Sequence, residues 1–169
     1  MTDDQELAQL LEHGLAVARG HLQKDGETVP VLIVEGNGET AIIAMPWESP
    51  DEKRRIMALV GAEAWQRVGA VSRIVLVSDT WVLARERDDP SPWPTGSLEH
   101  VPGRYEALLA LASNGVGNYE GLMQRYHRRP SGKIRRFDAP ETRSEMLESG
   151  LIDTFWQGYL LAMQRGAAS

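Results

Sequence analysis

The chain has 169 residues and no cysteine, which excludes disulfides, thiolate metal sites and cysteine nucleophiles together. With 24 acidic against 18 basic residues the net charge is −6, which argues against nucleic-acid binding by the surface as a whole. No apolar run approaches the roughly 20 residues that span a bilayer, and the acidic start MTDDQELAQL lacks the charge pattern of a secretory signal, so a cytoplasmic location without membrane contact is expected.

Residues 2–23 read as a helix. Thr2 and Gln5 have capping-box spacing, Asp3 and Asp4 suit a helix N-terminus, and Leu7, Leu11, Leu15, Ala18 and Leu22 form a stripe at helical period. Lys24-Asp25-Gly26 stops it. Thr28–Glu35 reads as a first strand, with Pro30 marking an edge or a start. Gly36-Asn37-Gly38 turns the chain into a second strand, Glu39–Met45, and Pro46 closes that hairpin. Ser49, Pro50 and Glu52 then supply an N-cap, a first-turn proline and a capping-box acid for a second helix that ends at Gly69.

Ala70–Arg85, AVSRIVLVSDTWVLAR, is the longest apolar run and reads as the central strand. Alternation puts Ile74, Leu76, Ser78, Thr80 and Val82 on one face and Val75, Val77, Asp79, Trp81 and Leu83 on the other. Both faces are apolar, so both should be covered. Asp79 breaks its face. A buried carboxylate must be paired or shift its pKa, so Asp79 is either an acidic site residue or the mark of a wet rim. Residues 87–103 hold four prolines and two glycines and read as a long loop, which either presents Trp93 and His100 for binding or is a surface excursion with Trp93 folded onto the body as a plug. Tyr105–Ala112 is a fourth strand, turned at Asn114-Gly115. Tyr119–Phe137 contains a fifth strand and room for a sixth, split at Pro130-Ser131-Gly132. A last helix is expected from near Thr142, with Gly150 as a point where it can be interrupted.

Residues 1–169 therefore read as a single α+β domain. Its mainly antiparallel sheet has five or six strands with three helices, in the order α-β-β-α-β-β-β-(β)-α. This element order resembles the profilin-like arrangement of Roadblock/LC7 modules, which act as dimeric scaffolds or regulators of small GTPases. The resemblance lies in element order; no residue motif accompanies it, and fold alone does not carry function.

The clearest charge feature is Arg125, Arg128, Arg129, Lys133, Arg135 and Arg136, with no acid among residues 125–136 and with Tyr126, His127 and Phe137 interleaved. A basic hairpin of this kind grips phosphates or an acidic protein partner, or else protects a sheet edge. Glu86, Asp88 and Asp89 form an acidic run beyond the central strand, which reads as a solvated loop; the alternative makes Asp79 and Glu86 oxygen ligands of a Mg²⁺ or Mn²⁺ site. There is no nucleophile elbow, P-loop or paired-histidine metal motif. The resulting expectation is a non-enzymatic interaction or regulatory domain, homodimeric, with no cofactor. It would contact a protein partner through Trp93, His100 and the basic hairpin. The alternatives are a metal-dependent hydrolase or nuclease, with nucleic acid held by residues 125–136, and a small-ligand binder with the 87–103 loop as lid.

Overall fold

A computed structural model describes the chain apart from residues 46–48, 85, 87, 93, 95–97, 144–148 and 168–169. Helix α1 spans Asp3–Asp25. Its capping box closes in both directions: the Gln5 amide N–H donates to Thr2 Oγ1 at 3.3 Å, and the Thr2 amide N–H donates to Gln5 Oε1 at 2.9 Å. Gly26 ends the helix in the left-handed region, φ 76°, with its N–H bonded to the Leu22 carbonyl. That geometry is one glycine adopts without strain. Helix α2 spans Pro50–Val68, with Ser49 Oγ accepting the Glu52 amide at 3.2 Å. Helix α3 spans Ser149–Ala167.

The strands are β1 (Val31–Gly36), β2 (Glu39–Ala44), β3 (Val71–Val82), β4 (Tyr105–Gly115), β5 (Asn118–Arg128), β6 (Ile134–Phe137) and β7 (Glu141–Arg143). They form one seven-stranded sheet in the order β2-β1-β3-β4-β5-β6, with β7 also on β5, and every pairing is antiparallel. The α+β class, the three helices and the antiparallel sheet are as expected; β7 raises the strand number above the five or six expected.

The alternation of the central strand sets the two layers. Val75 and Val77 face α1, where Leu7, Leu11, Leu15 and Leu22 pack with Leu108 and Ala110. Ile74 and Leu76 face α2 and α3, where Met57, Ile152 and Phe155 close the second core. Each fully buried aliphatic side chain contributes about 1.5–3 kcal/mol. The two covering helices touch at their backbones. A Cβ on Gly61 would lie 2.1 Å from the Phe155 carbonyl oxygen, and one on Gly158 2.1 Å from that of Ala58. On the other face, Arg73 joins α1 to the sheet by pairing with Glu6 and, at 3.1 Å, with Glu35.

Several boundaries differ from the sequence reading. The first strand begins at Val31, because Pro30 lies outside the β1 ladder and offers only its carbonyl, to the Met45 amide at 2.7 Å. The central strand is shorter than Ala70–Arg85, ending at Val82. Strand β4 runs past Ala112 to Gly115, so the turn falls at residues 116–117, with Gly117 at φ 76°. Ser113 is buried there without cost, since its hydroxyl bonds the Gly115 carbonyl at 2.7 Å and receives the Trp156 indole N–H at 2.9 Å. Thr142 does not open the last helix. It lies in β7, opposite Leu122, where free strand edge on β5 outweighs a local capping pattern. Gly150 is the second residue of α3, and residues 144–148 before that helix lie outside the described ones.

Candidate functional site

The basic segment folds as a hairpin. Strands β5 and β6 are joined through residues 129–133, where the Gly132 amide bonds the Arg129 carbonyl and the Arg129 amide bonds the Lys133 carbonyl, both at 2.8 Å. Gly132 takes φ 87° in this turn. A register shift between His127 and Arg128 twists the end of the hairpin.

The six cations are not equivalent. Arg129, Lys133 and Arg135 are exposed and, among the described residues, form no ion pair. Arg125 is exposed with its guanidinium 4.4 Å from the centre of the Tyr105 ring, a cation–π contact that holds it flat on the sheet. Arg136 lies opposite His127 in the register, and both turn toward Asp138, at 3.8 Å and 3.0 Å. The hydrogen bond from His127, reinforced by the charges of Arg136 and Arg125, holds the Asp138 carboxyl below the usual carboxylate range.

Arg128 has a different role from its neighbours. Its Nε donates to Glu106 Oε2 at 2.7 Å, and its Nη1 donates to the carbonyls of Gly26 at 2.7 Å and Gly132 at 2.8 Å. It thereby ties the α1 terminus, β4 and the hairpin turn together, and its charge is spent inside the molecule. Tyr126 completes this cluster, its hydroxyl donating to Glu106 Oε1 at 3.3 Å. Burial, with Glu106 adjacent, pushes the Tyr126 hydroxyl well above its ordinary value.

Asp79 lies on the same face as Glu106. Burial falls away after Val77 in β3, and Asp79 is exposed although the surrounding protein still desolvates its carboxyl. Partial desolvation raises its carboxyl above the ordinary range, Glu106 and Glu27 raise it further, and Arg128 opposes them. The carboxylates that act on Asp79 are thus Glu106 and Glu27; Glu86 is exposed in the coil after β3. Among the described residues no group of three or more His, Asp or Glu side chains is placed to hold a metal ion. Trp81, two residues on, is half-buried with the Arg104 guanidinium 4.7 Å from its ring.

His100 is exposed in a turn of the 87–103 loop, whereas Trp93 lies outside the described residues. Glu106 is the residue that sequence reasoning missed. Its signal was present: in YEALLALA it interrupts an apolar strand, as Asp79 does in the neighbouring one.

The chain was compared with protein-family models, curated proteins and solved structures, and none of the three comparisons gave a match. The residues themselves must therefore carry the functional reading.

Proposed function

We propose that this chain is a non-enzymatic interaction domain, homodimeric, that docks an acidic protein partner on the β5–β6 hairpin and the adjoining 87–103 loop. The observation that supports this is the exposed set Arg125, Arg129, Lys133 and Arg135, presented on a hydrogen-bonded hairpin in a chain whose net charge is −6. Free cations on a rigid ribbon keep their hydration until an opposite charge replaces it, which favours steering and specificity toward an acidic surface. Arg128 stands apart from this surface because its charge is already matched by Glu106.

The same cations would attract phosphates, so the test separates the two partners. Immobilised wild type and an Arg129→Ala/Lys133→Ala/Arg135→Ala variant are exposed to a poly-glutamate peptide and, separately, to single- and double-stranded DNA. Peptide binding that weakens with salt and is lost in the variant, with DNA bound no better than by the variant, is the expected result. Tight DNA binding that depends on the three cations would overturn the protein-partner reading, as would peptide binding unchanged in the variant.

A further inference from the structure

The face of the β5–β6 hairpin that turns away from α1 carries a carboxylate. Tyr126 and Phe137 are opposite each other in the register and pack with the α1 core, their ring centres 6.1 Å apart. Alternation therefore puts Arg125, His127 and Arg136 on the other face. Tyr105 is there too, with the Arg125 guanidinium on its ring. The basic segment 125–136 contains no acid of its own. Asp138 reaches that face from just beyond it: its amide N–H donates to the Arg125 carbonyl at 2.9 Å and carries the β5–β6 ladder one residue further.

Asp138 is held by its backbone and matched through its side chain. Its carbonyl accepts the Gln124 side-chain amide at 2.8 Å, and the buried Gln124 is oriented in turn by Arg19 of α1, also at 2.8 Å. The Asp138 carboxylate lies 3.0 Å from His127 Nε2 and 3.8 Å from Arg136 Nε. The His127 hydrogen bond and the charges of Arg136 and Arg125 all favour its ionised form. A carboxylate in this position is the kind of group that an acidic partner would bring to the same hairpin.

We propose that Arg125, His127 and Arg136 form a carboxylate subsite of the docking face, filled by Asp138 in the free chain and by a carboxylate of the acidic partner in the complex. This rests on the docking reading above and names the chemistry of its central contact. One carboxylate leaves the basic groups and another takes its place, so no proton has to move. The Asp138 side chain is 41% exposed, and rotation about its own bonds turns it into water while the backbone stays in the ladder.

The internal acid also selects the partner. A tethered group competes at an effective concentration of order millimolar, so a lone carboxylate in dilute solution does not displace it. An acidic run anchored at the same time by Arg129 and Lys133 brings its own carboxylate to the subsite at a comparable effective concentration. The subsite therefore favours a segment with several carboxylates in sequence over a single acidic residue.

The test is binding of a labelled poly-glutamate peptide, followed by fluorescence anisotropy at one fixed salt concentration. Asp138→Asn keeps the backbone bonds and removes the competing charge. It is expected to bind the peptide about two- to fivefold more tightly, the range that an exposed ion pair contributes. Glu39→Gln makes the same change in net charge on β2, at the other edge of the sheet, and should bind as the wild type does. Arg136→Ala should weaken binding more in the Asp138→Asn background than in the wild type, because only there is Arg136 released to meet the peptide. Charges that merely add would give the same cost in both backgrounds. An Asp138→Asn variant that binds no better than Glu39→Gln, or an equal cost of Arg136→Ala in the two backgrounds, would overturn the subsite. The docking reading would still stand if wild-type binding is lost in the Arg129→Ala/Lys133→Ala/Arg135→Ala variant. Peptide bound by neither the wild type nor Asp138→Asn overturns both.

Discussion

Arg128 Nε donates to Glu106 Oε2 at 2.7 Å, although the β4–β5 register places Glu106 opposite Tyr126. The contact is therefore diagonal across the ladder, and it withdraws Arg128 from the surface on which Arg129, Lys133 and Arg135 are exposed. Arg128 and Glu106 side chains are 27% and 19% exposed, so water screens the pair less than it screens the rest of the hairpin. Arg128→Ala should destabilise the fold by about 2 kcal/mol, because it removes the donor to Glu106 Oε2 and to the Gly26 carbonyl and leaves Glu106 with only the Tyr126 hydroxyl. Arg129→Ala and Arg135→Ala should stay within about 0.5 kcal/mol of wild type. Equilibrium urea unfolding compares the three, and equal effects would show that Arg128 is not the tie described above.

Asp79 gives a pH dependence with a definite sign. Its folded pKa lies above its ordinary value of 3.8, so between the two values the folded state holds more protons than the unfolded state. Its contribution to stability is therefore most favourable at acid pH and falls as pH rises through that window. Asp79→Asn removes the penalty. The variant should have a higher urea midpoint than wild type at pH 7, and the gap should narrow toward pH 4. A gap that is unchanged or widens on acidification would contradict the partial desolvation of Asp79, with Glu106 beside it.

The α2–α3 contact tests backbone proximity against helix propensity. Alanine is the better helix former by about 1 kcal/mol, yet Gly61→Ala would drive a methyl group into the Phe155 carbonyl. Overpacking of this kind costs about 1–3 kcal/mol, and occasionally more where backbone must move. Gly20→Ala, in α1 with no atom within 4 Å of the new methyl, should instead gain up to about 1 kcal/mol. Thermal unfolding of the two variants should move in opposite directions.

Trp156 anchors α3 on the sheet through its indole N–H, which donates to Ser113 Oγ at 2.9 Å. Trp156→Phe keeps a ring but loses the donor and part of the packing against Phe155 and Tyr159. A loss of about 2 kcal/mol is expected. Ser113→Ala in the Trp156→Phe background should cost less than Ser113→Ala alone, because the two residues share one bond. Urea unfolding of the two single variants and the double variant completes the cycle.

What the sequence by itself determined was the local chemistry. Thr2 with Gln5, Ser49 with Glu52, Gly26, and the Asn37-Gly38 turn each act within about four residues, where chain connectivity already holds the partners close. The central strand was legible for a similar reason: an apolar run that alternates without a polar face has to be covered on both sides. The basic hairpin could be placed as a whole, but the separate roles of its cations could not. Arg128 and Glu106 are 22 residues apart, and only the pairing of β4 with β5 brings them together. The same holds for Asp79 beside Glu106 and for Trp156 on Ser113. That β2 pairs with β1 alone among the described residues likewise follows from the strand order β2-β1-β3-β4-β5-β6. A strand pattern specifies which side chains face the core, whereas the neighbours of a strand follow from how the whole sheet closes its hydrogen bonds and its two hydrophobic layers.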